Sequence, residues 1–225
     1  MTERISVVPF RRSMFQVALL MAASGGLYVL VWAYFVRRAC AAVLEQEDQP
    51  LWKSVALIVP IFNFFLMFDL GKKIQGVQWR ADPSRVDGSL PWVGIVFFVF
   101  LILGKVDGNA AFLGVFNFVP IALMHHRFSR AQVALLGESA VPTRFHWLEW
   151  VVTVAGGGLW AFFLYVIVSP AWGPESAPGV RAWSVACTAA TIAILALLAV
   201  VSRRAIAEGL AMHASPSPDR IAPYA

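Results

Sequence analysis

Apolar residues in this chain gather in long unbroken runs rather than at the spacing of one-faced surface helices. Runs cover about 14–36, 51–70, 147–168 and 182–201, each near the roughly 20 apolar residues a helix needs to cross hydrocarbon. Two shorter runs, Leu90–Leu103 and 110–124, reach that length only when flanking residues join them, giving spans of about 88–106 and 109–126. The pair is either a short transmembrane hairpin or a re-entrant one, and both forms leave the sidedness of the other runs unchanged. The pattern predicts an all-α, polytopic membrane protein of about six transmembrane helices in three hairpins. One domain over 14–208 lies between a cytoplasmic segment, 1–13, and a tail, 209–225, expected to be disordered because Pro216, Pro218 and Pro223 stop helices.

Composition sharpens this reading. Apolar residues make up 59% of the 225 and charged residues 14%, against about half and about a quarter in ordinary soluble domains. The net charge of +5 does not point to nucleic acid, because the Lys and Arg residues flank apolar runs instead of clustering on a soluble face. They report topology. In the six-span arrangement one side receives Arg4, Arg11, Arg12, Lys72, Lys73, Arg80, Arg85, Arg127, Arg130, Arg144, Arg203, Arg204 and Arg220, thirteen of the 18. Arg37, Arg38, Lys53, Lys105 and Arg181 fall on the other. The excess assigns both termini to the cytoplasm, with the basic pairs against anionic lipid headgroups. Trp52, Trp92, Trp147, Trp150, Trp172 and Trp183 lie near span ends, where indoles prefer to sit. The two cysteines, Cys40 and Cys187, have no metal or redox spacing and are not expected to pair.

A faint internal repeat is present. Ala23-Ser24-Gly25-Gly26-Leu27-Tyr28 recurs as Ala155-Gly156-Gly157-Gly158-Leu159-Trp160, and Trp52 with Lys72-Lys73 recurs as Trp183 with Arg203-Arg204. Phe62-Asn63-Phe64 recurs in the middle hairpin as Phe116-Asn117-Phe118. The copies run in one direction, which makes the repeat parallel. The run Leu27-Tyr28-Val29-Leu30-Val31-Trp32-Ala33-Tyr34, then Pro50-Leu51-Trp52-Lys53-Ser54 and Ile61-Phe62-Asn63-Phe64, resembles a bacterial multi-pass inner-membrane family of unknown function with LYxxYWFYR and PFWRALF-type helices. The resemblance covers roughly 14–75 and departs from the pattern at Ala33 and Lys53. It implies a bacterial cytoplasmic membrane and carries no site residues with it.

Candidate chemistry is sparse. Asn63 and Asn117 each precede a basic pair by roughly 13 Å of helix, so both are expected near the midplane, where an amide needs a partner or a wet cavity. They make either an interhelical clamp or a polar site for a small solute, with Pro60 and Pro120 beside them as kink points. Gly25, Gly26, Gly157 and Gly158 read as helix-packing positions, from small residues spaced by four. Asp69 is expected to pair locally with Lys72 and Lys73, and Glu149 to sit at a helix N-terminus. His125, His126 and His146 fall around one loop, but adjacent histidines on a helix point apart and do not make a ligand set. No catalytic, cofactor or metal site is predicted, and the oligomeric state is not legible. The leading expectation is a non-enzymatic structural, regulatory or envelope-assembly component. A solute transporter or channel using Asn63 and Asn117 stands second, and a lipid-processing enzyme at the cytoplasmic face third.

Overall fold

A computed structural model describes residues 10–86, 88–104, 116–143, 146–168 and 178–214. Those residues are helical, without strands: α1 (Met14–Ala23), α2 (Tyr28–Leu44), α3 (Pro50–Ala56), α4 (Pro60–Ala81), α5 (Leu90–Leu103), α6 (Phe118–Leu136), α7 (Trp147–Val168) and α8 (Pro178–Ala214), with short 3-10 turns at Pro83–Arg85 and Gly137–Ala140. Within α8, Val185–Glu208 is the one stretch among the described residues that is long and apolar enough by itself to cross a membrane.

The first apolar run is two helices, not one. Ser13 opens α1 with a reciprocal capping box to Gln16, and α1 stops after ten residues. Gly25 (φ +60°) and Gly26 (φ +93°) then take backbone conformations that L side chains rarely adopt. Ser24 Oγ accepts from the Tyr28 N–H at 2.9 Å and starts α2. The chain doubles back. Phe10 stacks on Phe35 with ring centroids 5.4 Å apart, whereas a continuous helix would hold them roughly 37 Å apart. The glycines expected to serve packing here form a turn.

The second run is interrupted as well. It contains the seven-residue α3, a turn at Leu57–Val59 and the start of α4, which Pro60 opens. Lys53 on α3 and Lys73 on α4 both reach the Asp48 carboxylate, at 2.5 and 3.0 Å, although a straight helix would separate them by roughly 30 Å. Thus α3 rises from the charged end of α2 and α4 descends past it.

Long helices complete the bundle. α5 runs antiparallel to α4 with backbones in close approach: a Cβ on Gly71 would stand 2.7 Å from Pro91 Cα, and one on Gly94 2.7 Å from the Met67 carbonyl oxygen. α6 and α8 run parallel, joined by Arg130 to Glu208 at 3.1 Å and His213 Nδ1 to the Ala134 carbonyl at 3.2 Å. α7 rises beside α1. Buried Trp32 on α2, Phe97 on α5 and Phe118 and Phe128 on α6 join Met67, Leu70, Ile74 and Val77 on α4 in one apolar core. The helix α8 continues to Ala214, so the expected disordered tail is helical over its first part; 215–225 lie outside the described residues, as do 1–9 and most of the link between α5 and α6.

Candidate functional site

The most unusual chemistry is a charge cluster gathered by the two doubled-back hairpins. Arg37 on α2 is fully buried, yet a guanidinium cannot shed its charge and must be compensated in place. Its Nη1 donates to Asp69 Oδ2 at 2.8 Å and its Nη2 to the Leu66 carbonyl at 2.6 Å, both on α4. Asp48, in the link between α2 and α3, accepts from Lys53 through Oδ1 and sits 3.0 Å from Lys73 Nζ and 3.5 Å from Arg37 Nη1 through Oδ2. Burial pushes the Asp48 carboxyl up, but the bonds from Lys53 and Lys73 and the Arg37 charge outweigh it and hold the group low, at about 2. Three cations thus surround two carboxylates, and Arg37 Nε has no partner. Below this layer, Arg80 donates to the Val43 carbonyl and approaches Glu45 at 3.3 Å.

Sequence reasoning placed Asp69 with Lys72 and Lys73 on its own helix. Instead Arg37 takes Asp69, and Lys73 turns to Asp48. The expected separation of Arg37 and Lys53 from Lys72 and Lys73 by the full thickness of a bundle does not hold, because the hairpins bring them to one level. A signal was present in the sequence: Asp48 stands among Arg37, Arg38 and Lys53 in one short link.

A second layer at the same end joins the N-terminal segment to α6 and α7. Arg12 Nε donates to Glu149 Oε1 at 2.6 Å and its Nη1 to Thr143 Oγ1 at 2.8 Å. Glu149 also accepts the His146 N–H at 2.8 Å, as expected of an acid in the first turn of a helix. His125 is buried with both ring nitrogens engaged. Trp32 Nε1 can only donate, so His125 Nδ1 accepts at 3.2 Å; the Arg12 carbonyl can only accept, so Nε2 carries the proton at 2.7 Å. The neutral ring therefore keeps no free lone pair for a ligand. Among the described residues no group of three His, Cys, Asp or Glu side chains is placed to hold a metal ion. Cys40 and Cys187 are free thiols.

Asn63 and Asn117 have separate neighbours. Asn63 is buried and its Nδ2 donates to the Leu57 carbonyl at 2.9 Å, tying the start of α4 to the turn before it, while its Oδ1 has no partner. Asn117 precedes α6 and lies against the other turn, its Nδ2 2.9 Å from where a Cβ on Gly26 would stand. Each amide therefore borders the interruption of a different hairpin.

Among the glycines of α7, Gly156 is the packing residue that was not singled out. A Cβ there would stand 2.1 Å from the Ala23 carbonyl oxygen, and one turn on Trp160 Nε1 donates to the Ala22 carbonyl at 2.9 Å. Gly157 and Gly158, expected to pack, face open space, as does Gly25. Gly71 and Gly94 were also missed, because only the approach of a neighbouring backbone marks them. No protein-family model matches the chain, and no curated protein or solved structure is significantly similar to it.

Proposed function

We propose that the chain is a polytopic protein of a bacterial cytoplasmic membrane with a non-enzymatic, structural role in the envelope, built on two hairpins that enter from the cytoplasmic side and turn back. One observation carries the reading: the outer surface beyond the charge layer is apolar on α4, α5, α7 and α8. Ile61, Phe62 and Phe65 on α4, Val96, Val99 and Ile102 on α5, Val151, Val154, Leu159 and Phe162 on α7, and Ile192, Leu197 and Val200 on α8 are all exposed. Helices that are apolar toward both core and surroundings suit lipid rather than water. The exposed rings of Trp52, Trp92, Trp147 and Trp150 lie close to the level of Asp48 and Glu149, as indoles at headgroups do.

The doubled-back hairpins also improve the charge asymmetry. With Arg37, Arg38 and Lys53 returned to the side of both termini, the excess of Lys and Arg on that side grows. The structural role is favoured over catalysis because these buried ionisable groups are already engaged: Arg37 with Asp69, Asp48 with two lysines, His125 with Trp32 and a carbonyl. Reporters fused after Arg85, Glu47 and Arg204 should all read cytoplasmic, and one fused near Glu175 external. A six-helix alternation would put Glu47 outside, so an external Glu47 overturns the hairpins, and an external Arg85 overturns the orientation.

A second reading, a pathway for a small polar solute, is favoured by one observation: the Asn63 Oδ1 and Ser54 Oγ atoms on either side of the α3–α4 turn are buried without hydrogen-bond partners. Buried polar atoms without partners are costly and often mark a water or a ligand.

A further inference from the structure

The two hairpins end in apolar tips. Leu27 at the α1–α2 turn is 71% exposed, and at the α3–α4 turn Ile58 and Ile61 are 65% and 72% exposed. Turns that reach an aqueous surface carry polar residues, so tips of this kind suit hydrocarbon. Their height agrees. The ten residues of α1 rise about 15 Å, half of the roughly 30 Å hydrocarbon thickness. Among the described residues, two helices pass this level. At Ala22 and Ala23 the α1 tip touches Gly156 and Trp160 of α7, which runs on to Val168, about 12 Å farther. The 37-residue α8 reaches from beside Ala134 to well above the same level.

Among the described residues, α1 to α6 therefore end within the half of the bilayer next to the charge layer, while α7 and α8 pass through that half and continue into the other. Taking the membrane reading above as its basis, we propose that the protein is a bilayer wedge: it displaces more lipid area from the cytoplasmic leaflet than from the outer one and favours membrane that is convex toward the cytoplasm. The interacting surface is lipid hydrocarbon at the tips and anionic headgroups at the Arg12, Lys53 and Lys72 layer. The Arg37, Asp48, Lys53 and Lys73 cluster is what keeps the wedge rigid, because it fastens α2, α3 and α4 at the base where they would otherwise splay.

The test uses the full chain reconstituted in giant vesicles of phosphatidylethanolamine and phosphatidylglycerol, with its C-terminal tail labelled from outside so that only outward-facing molecules are seen. Narrow tubes drawn outward should hold a several-fold higher protein density than the parent membrane. Equal density, or depletion, overturns the wedge. Depth is measured on the same preparations with Leu27→Cys and Ile58→Cys in a Cys40→Ala, Cys187→Ala background, probed by midplane-brominated lipid and by an impermeant thiol reagent on either side. Midplane quenching without tube enrichment leaves the membrane topology standing and removes the wedge. Reaction of Leu27→Cys from the outer face shows that the first hairpin crosses the bilayer, and the topology fails with the wedge. Oxidative dimers of Leu27→Cys at high dilution put a second copy over the tip in place of lipid, and that also overturns the proposal.

Discussion

Ala23-Ser24-Gly25-Gly26-Leu27-Tyr28 turns the chain back on itself, while Ala155-Gly156-Gly157-Gly158-Leu159-Trp160 stays inside an unbroken 22-residue helix, and the two segments touch. Helix propensity predicts the reverse, since α7 carries the additional glycine. The first segment turns because its surroundings reward turning. Ser24 Oγ caps the start of α2, Phe10 and Phe35 stack, and Trp32 donates to His125 beside Arg12. The second stays helical with its Gly156 packed on the Ala23 carbonyl at the end of α1, beside the Ala22 carbonyl that accepts the Gly25 N–H at 3.3 Å. Trp160 gives that Ala22 carbonyl a second donor. The missing side chain at Gly156 lets α7 come close enough to the turn for the Trp160 indole to reach it. The repeated sequence thus yields two complementary parts.

The comparison breaks most severely where the doubled-back arrangement is fastened. Replacing Asp48 by Asn leaves Arg37, Lys53 and Lys73 with Asp69 as the one carboxylate of the cluster. Losing a partner from a buried ionic network costs about 3 kcal/mol, so a large fall in the unfolding temperature in detergent is expected, with the α7–α8 pair still helical. The pH dependence has a definite sign. Asp48 is held below its ordinary value, so its ion pairs contribute fully above about pH 4 and fade as the pH falls through about 2. This acid limb carries on the order of 2 kcal/mol and should be absent from Asp48→Asn. An unchanged limb would show that the cluster does not hold the hairpins.

The glycines sharpen the comparison at smaller cost. Gly156→Ala forces a methyl into the Ala23 carbonyl and should lose about 1–3 kcal/mol, whereas Gly157→Ala and Gly158→Ala face open space and should gain up to about 1 kcal/mol. In the turn, Gly26→Ala should lose about 1–2 kcal/mol from its positive φ and from Asn117. Gly25→Ala, at φ +60° in open space, should lose about 1 kcal/mol. Thermal unfolding of the five variants should therefore separate Gly156 from its two neighbours. Equal losses at Gly156, Gly157 and Gly158 would mean that α7 does not meet α1 edge-on.

How much of this was legible follows from the range of each interaction. The helical class, the apolar runs and the excess of Lys and Arg at one end are local or summed properties, readable without knowing which helices touch. The interruptions at Gly25 and at Leu57 are not local. The same glycine pattern remains helical in α7, and an apolar run long enough to cross hydrocarbon gives no sign that it folds in half. Arg37 could be assigned to the far side only while 14–36 was one helix; once Phe10 meets Phe35, it must lie near Asp69. Gly156 could not be told from Gly157 and Gly158, because what distinguishes it is the Ala23 carbonyl on another helix.

The smallest expected effect decides between the two readings of function. Asn63 gives one hydrogen bond to the Leu57 carbonyl and leaves Oδ1 bare, so Asn63→Leu removes a favourable contact and an unfavourable buried acceptor together. Side-chain hydrogen bonds in membranes average only about 0.6 kcal/mol, and the net loss should fall at or below that. Asn117 lies against Gly26 at the other turn, so Asn117→Leu acts through a different neighbour. The double variant should then equal the sum of the singles within about 0.5 kcal/mol, with no recovery. A clamp between the two amides predicts recovery in the double variant. A solute pathway predicts near-normal stability in Asn63→Leu but altered passage of a small polar solute into proteoliposomes, and that result would move the reading from scaffold to transport.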